Sequence, residues 1–193
     1  MKRYIIIGDI HGCLDELIEL IHKTRWNPAE DRLILAGDLV DRGPKSAEVI
    51  QWARTNNIEV VRGNHDDRYV QFSNKLENKK KPKWIKNYPD RLAIFQKLTP
   101  EDIQFLKSTP TYIKISEIKT YIIHGGIIPG RKIEDQESNS LMHVRFLYDN
   151  GNCYSKAPLD AQNGYCQPRN SFFWAEKYDG KWLILSTDYS LNA

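Results

Sequence analysis

The chain has 193 residues, 40% of them hydrophobic and 27% charged, with a formal net charge of +3. That length suits one domain with a real core, and no apolar run is long enough to cross a bilayer. The small positive charge names no polyanionic partner, so stable nucleic-acid binding is not expected, while phosphorylated substrates remain compatible. Cys13, Cys153 and Cys166 form no Cys-x-x-Cys pair, which argues against a disulfide framework and for a reducing compartment. The first apolar run is too short for a signal peptide and is interrupted by Asp9 and His11. A cytoplasmic protein is expected.

Tyr4 to Gly8 reads as a buried strand of a parallel sheet. It runs into Asp9-Ile10-His11-Gly12. Residues i and i+2 of an extended segment share a face, so Asp9 and His11 can offer an oxygen and a nitrogen to one metal ion. Alone, the pair reads more readily as a capping Asp and a loop His, and the later stretches reverse that reading. Leu14, Leu17, Ile18 and Ile21 recur at helical spacing and predict an amphipathic helix from Cys13 to Lys23. His22 falls near its C-terminus, as a cation facing the helix dipole. Arg32 to Ala36 predicts a second strand, leading into Gly37-Asp38-Leu39-Val40-Asp41-Arg42-Gly43. Pro44 opens a helix over Lys45 to Arg54. Ile58 to Val61 predicts a third strand, ending in Arg62-Gly63-Asn64-His65-Asp66, with a helix following through Tyr69 and Phe72.

This alternation implies right-handed crossovers and a parallel sheet. Each strand ends in Gly followed by Asp or Asn. Polar groups thus gather beyond the carboxyl ends of the strands, where open α/β sheets bind ligands.

Asn74 to Lys86 is dominated by Lys75, Lys79, Lys80, Lys81, Lys83 and Lys86. It reads as a solvated loop or frayed helix, or as a basic lid that draws in anionic substrate. Asp90 to Lys97 is predicted helical. Thr99 caps another helix that ends before Pro110, with Glu101 and Asp102 in its first turn. Residues 74–110 therefore read as a basic helical insertion in a single domain spanning 1–193. Thr111 to Ser116 and Lys119 to Ile123 predict an antiparallel pair running into His124-Gly125-Gly126. Ser140 to Leu147 looks helical and Asp149 to Gln167 reads as loop. Phe172 to Tyr178 and Trp182 to Leu185 predict the last strands, joined at Asp179-Gly180.

Asp9, His11, Asp38, Asn64 and His124 supply three oxygen and two nitrogen donors, all at predicted strand ends. The mixed set suits manganese, iron or zinc more than calcium, and exceeds what one tetrahedral zinc needs. Two metals sharing one bridging carboxylate, with Asp38 the central candidate, is the economical arrangement. Such a pair lowers the pKa of a shared water and neutralises phosphoryl oxygens. His65 is placed to protonate a leaving group and Asp41 to orient it. Arg42 has the planar fork that grips phosphate oxygens.

Gly8-Asp9-Ile10-His11-Gly12, Gly37-Asp38-Leu39-Val40-Asp41-Arg42-Gly43, Gly63-Asn64-His65-Asp66 and His124-Gly125-Gly126 together resemble the successive motifs of the calcineurin-like metallophosphoesterases. The nearest branch holds the phosphoprotein phosphatases and the bacterial symmetrical diadenosine tetraphosphatases. The resemblance covers residues 1 to 130. It implies a four-layer α/β/β/α sandwich and two divalent metals, manganese first, with iron, zinc or nickel as alternatives. It puts Asp9 and His11 on the first metal, Asp38 between the two, and Asn64 and His124 on the second, with His65 as general acid. The implied substrate is a phosphorylated small molecule, such as a dinucleoside tetraphosphate, a phosphoprotein or a nucleic-acid phosphate end, with the dinucleoside tetraphosphate or a bacterial-type phosphatase substrate preferred.

Leu141-Met142-His143-Val144-Arg145 resembles a helix that follows the His-Gly-Gly block in bacterial members, which makes Arg145 a candidate substrate contact and His143 a surface or packing residue. The resemblance also implies a late Gly-His motif carrying one more metal ligand. Here the chain reads Ser186-Thr187-Asp188-Tyr189 instead. The expectation is therefore a C-terminus cut short, an incomplete second sheet, and Asp188 as a substitute ligand. The alternative to an active enzyme is a remnant that binds metal or phosphate without turnover.

Overall fold

The computed structural model describes residues 2–78, 88–149, 154–156 and 170–187. The fold is mixed α/β, and the chain divides into two compact units, Met1–Pro110 and Thr111–Ala193.

The first unit opens with β1 (Arg3–Ile7), α1 (Leu14–Thr24), β2 (Asp31–Leu35), α2 (Ser46–Thr55), β3 (Glu59–Val60) and α3 (Asn64–Glu77). The three strands form a parallel sheet in the order β1-β2-β3, with Ile7 opposite Leu35 and Leu35 opposite Val60. This is the predicted βαβ pattern. Helix α1 buries Leu17 and Ile21, and α2 buries Val49, Ile50 and Ala53. They pack with Leu33, Leu35, Leu39, Val40 and Val60 into one core.

Helix α2 begins later than predicted. The Lys45 N–H is taken by the Gly12 carbonyl (3.0 Å), so Pro44 and Lys45 belong to the loop rather than to the first turn. Asn64 and His65 are not strand-end residues, because they open α3. Asp66, fully buried, makes this possible. Its Oδ2 accepts the Gly63 N–H (3.0 Å) and its Oδ1 the Leu39 N–H (2.9 Å), capping the helix and tying it to the loop after β2.

Helices α4 (Pro89–Lys97) and α5 (Pro100–Ser108) complete the unit. Thr99 caps α5 as predicted: its side chain accepts the Asp102 N–H (3.2 Å) while Asp102 accepts the Thr99 N–H (3.0 Å). Lys79, Lys80, Lys81, Lys83 and Lys86 of the predicted basic segment lie outside the described residues.

The second unit holds β4 (Tyr112–Ile115), β5 (Thr120–Ile123), α6 (Ser138–His143), β6 (Phe146–Asp149), β7 (Tyr154–Lys156), β8 (Phe172–Phe173) and β9 (Leu183–Leu185). The β4–β5 pair is antiparallel, as predicted. Three expectations are corrected. First, the predicted helix over Ser140 to Leu147 stops at His143, and Phe146–Asp149 is a strand. Val144, Phe146 and Tyr148 favour extended backbone, and Phe146 and Leu147 are buried there. Second, part of the predicted loop, Tyr154–Lys156, pairs antiparallel with β6. Third, the last two strands do not form a hairpin. β8 pairs with β6 while β9 runs parallel to β5. Trp174–Lys177 is a short 3-10 helix, because the Glu176 carboxylate accepts the Phe173 N–H (2.8 Å) and the Trp174 ring is buried in the core.

Candidate metal centre

The loops beyond the carboxyl ends of β1 and β2 are forced into unusual backbone. His11, Asp38, Asp41 and Arg42 all have positive φ, between +46° and +68°, a region that costs an L side chain energy and recurs at functional sites. Two glycines let the loops meet. A Cβ on Gly43 would collide with the His11 carbonyl, and one on Gly63 with the backbone and carboxylate of Asp38. The motif glycines are therefore dictated by close approach of the three loops.

Asp38 lies at the centre and is buried. Its Oδ1 accepts the backbone N–H of His65 at the start of α3 (2.8 Å), where a helix favours negative charge. Its Oδ2 is 3.7 Å from His11 Nε2 and 3.9 Å from His65 Nε2. Asp9 Oδ2 is also 3.7 Å from His11 Nε2. Those separations are too long for hydrogen bonds and are ones that two ligands of a single ion can hold.

The His11 ring is fixed from behind, with Nδ1 donating to the Val40 carbonyl (2.8 Å). Its Nε2 is buried and has no hydrogen-bond partner among the described residues. Burial pushes the His11 pKa down, against the opposing pull of the Val40 carbonyl and Asp38. The neutral ring so favoured, with its second nitrogen anchored, is the metal-ligating form. His11, Asp38 and His65 bring donor atoms within 4.8 Å of one another. Asp9, His11 and Asp38, with carboxylate oxygens 3.7 Å from His11 Nε2, offer a mixed nitrogen and oxygen set that fits a borderline divalent cation.

Beside it, His65 Nδ1 donates to Asp41 Oδ2 (2.7 Å). Asp41 Oδ1 accepts the Tyr69 hydroxyl (2.5 Å), and Oδ2 also accepts Arg91 Nε (3.0 Å). Burial alone would push the Asp41 carboxyl up. The His65 and Tyr69 hydrogen bonds and the Arg91 charge outweigh it and hold Asp41 below the usual carboxylate range. The same bond and burial push the Tyr69 hydroxyl well up. Arg68 lies against the His65 ring, with Nη1 3.0 Å from Nδ1 and 3.3 Å from Nε2. Arg42 is exposed on its left-handed loop.

The first unit thus brings together Asp9, His11, Asp38, Asp41 and His65, with Asn64 buried at the start of α3. In the second unit, His124 is fully buried at the end of β5, and its carbonyl accepts the Ser186 hydroxyl (3.0 Å) and the Thr187 N–H (3.2 Å). Arg145 is half-buried between α6 and β6, and His143 donates to the Asn139 carbonyl (3.1 Å). Asp188 lies outside the described residues. Sequence reasoning missed Tyr69, Arg68 and Arg91 as neighbours of Asp41. The first two follow His65 by four and three residues, which on a helix is the same face. Arg91, from α4, has no such signal.

A family profile for calcineurin-like phosphoesterases matches residues 2–188. The chain belongs to this family. It is 32% identical over 174 residues to the symmetrical bis(5'-nucleosyl)-tetraphosphatase of Buchnera aphidicola subsp. Baizongia pistaciae, covering 81% of this chain and 59% of that protein. It is 36% identical over 128 residues to the enzyme of the same name from Shigella dysenteriae serotype 1, covering 64% and 43%. The chain therefore spans about half the length of these curated relatives. A crystal structure provisionally named a diadenosine tetraphosphatase superposes with a TM-score of 0.78 at 24% identity, over 96% of this chain and 74% of the other. That likeness speaks for the phosphoesterase fold.

Proposed function

We propose that the chain is a metal-dependent phosphoesterase that hydrolyses symmetrical dinucleoside tetraphosphates, with phosphoproteins as the second substrate class. The observation that carries the reading is the pairing of two arrangements side by side. One is a buried, anchored His11 whose Nε2 faces Asp38 and has no hydrogen-bond partner among the described residues. The other is the hydrogen-bonded His65–Asp41 pair. The names of the relatives support the choice of substrate.

Asp9, His11 and Asp38 would hold the first metal, and Asp38, Asn64 and His124 the second. His124 is assigned from its His-Gly-Gly motif. The ions, when bound, would supply Lewis acidity toward water and the phosphoryl oxygens, with manganese the first candidate. Asp38 is oriented for this task because the His65 N–H already holds one of its oxygens. Asp41 fixes the His65 ring through Nδ1, which leaves Nε2 to pass a proton to the leaving oxygen. Arg42, exposed beside this site, would grip phosphoryl oxygens. Arg145 is a second such candidate, from its motif position. No helix among the described residues is long and apolar enough to cross a membrane, and the absence of a Cys-x-x-Cys pair in the sequence supports a reducing compartment such as the cytoplasm.

The test is product analysis after incubating the protein with diadenosine tetraphosphate and manganese. ADP as the sole product supports the reading. Dephosphorylation of a phosphoserine peptide with no attack on the dinucleotide moves the substrate to the second class. Metal uptake without turnover of either contradicts catalysis by this chain and leaves a binding shell.

A further inference from the structure

We propose that Arg68 and Arg91 form an anion clamp on the leaving-group side of His65, selecting substrates whose departing half is itself a phosphate. The proposal rests on the phosphoesterase reading above and adds two specificity-determining residues to it.

Position comes first. A general acid must face the oxygen that leaves; His65 would do so through Nε2, because its Nδ1 is bonded to Asp41, and Arg68 Nη1 is 3.3 Å from that Nε2. Arg68 presses on the His65 ring and its Nη1 is 3.5 Å from Asp41 Oδ2. Arg91 Nε reaches that same oxygen at 3.0 Å. The two guanidiniums arrive from different helices, α3 and α4, and converge beside the acid.

Charge comes second. One carboxylate, Asp41, is shared by both guanidiniums, and it also accepts the His65 and Tyr69 hydrogen bonds. A single arginine would suffice to hold it. Asp38, the other carboxylate acting on Arg68, has one oxygen taken by the His65 N–H and the other toward His11. Among the described residues no acceptor meets Nε or Nη2 of Arg68, or either terminal nitrogen of Arg91. One side of the Arg91 guanidinium lies over the Tyr88 ring, 4.5 Å from its centroid. The side chains are 29% and 24% exposed, so both are half withdrawn from water yet reachable. Burial and the charge of Arg91 both press the Arg68 pKa down. An anion between the two would relieve that repulsion and use forks suited to phosphate.

The chemistry separates two leaving groups. Hydrolysis of a phosphoanhydride forms a P–O bond to water and breaks the P–O bond to the bridging oxygen. The bridging oxygen departs with the electron pair and takes the His65 proton, while the water's proton is released to solvent. The departing phosphate still carries negative charge on its other oxygens, which the clamp meets. An aryl phosphate releases a phenol with no such oxygens.

The test uses the full chain with Arg68→Gln and Arg91→Gln, and the charge-keeping Arg68→Lys and Arg91→Lys. Two quantities are read. One is the affinity of the metal-free protein for ADP, by calorimetry. The other is the ratio of kcat/KM on diadenosine tetraphosphate to kcat/KM on p-nitrophenyl phosphate. In each Gln variant the affinity and the ratio both fall about ten-fold, the loss of one charge-assisted contact, and the Lys variants recover part of each. A ratio within two-fold of wild type, an unchanged ADP affinity, or no ADP binding by the wild-type chain overturns the clamp. If the wild-type chain turns over neither substrate, the phosphoesterase reading fails and the ADP titration alone decides.

Discussion

Four groups converge on Asp41: the His65 ring, the Tyr69 hydroxyl and the Arg68 and Arg91 guanidiniums. That convergence gives His65 its orientation, and the proposed general-acid role can be separated from a metal-ligand role by substitution. His65→Gln keeps a polar group of similar reach but cannot deliver a proton. It should lower kcat by about 10²–10⁴ while the protein retains its bound metal, measured by elemental analysis of the same sample. Loss of metal together with activity would instead make His65 a ligand.

Much of this site was legible in the residues. Asp9, His11, Asp38, Asp41 and His65 were found because each adjoins a glycine or another polar residue at the end of an apolar run, a local pattern. Arg91 was not found. It reaches Asp41 from 50 positions away, and nothing local marks an exposed-looking helix arginine as a partner of a distant carboxylate.

At the scale of elements, α5 and its cap show how one buried carboxylate joins helices. Asp102 has a fully buried side chain that accepts from Arg54 on α2 (2.9 Å) and from the Thr99 N–H (3.0 Å). Burial alone would raise its pKa. The Thr99 and Arg54 bonds outweigh that and lower it from 3.8. A depressed folded value means that the stabilisation is present above about pH 4 and is lost as pH falls through the folded pKa. Asp102→Asn should therefore cost about 2 kcal/mol near neutrality. The gap in melting temperature between variant and wild type should narrow as pH falls below about 4, read from thermal melts across pH.

The cap itself was predictable, since Thr99 and Asp102 sit at capping-box spacing. The first sheet was predictable for a similar reason, because three apolar runs alternate with helical periods. β6 was misread because its pairing partners β7 and β8 are distant or short, and Leu141, Val144 and Leu147 happen to fit a helical period. The separation of β8 from β9 into different sheets is a long-range pairing choice that alternation alone does not encode.

For the whole chain, membership of the calcineurin-like phosphoesterases and the donor set around His11 lead to a linkage expectation. A ligand that binds only the folded state stabilises it by about 2.7 kcal/mol at a hundred times its Kd. Manganese should therefore raise the melting temperature of the wild-type protein, and His11→Ala should lose most of that rise. An equal rise in both would place the metal away from His11.

The most direct test of the central claim is hydrolysis of p-nitrophenyl phosphate with added manganese by wild type and Asp38→Asn, with metal counted on the same samples. The account predicts turnover by wild type with about two ions per chain, and at least about a hundred-fold loss in the variant together with reduced metal. Equal activity in the two proteins, or no turnover by a wild-type chain that holds its metal, would contradict it.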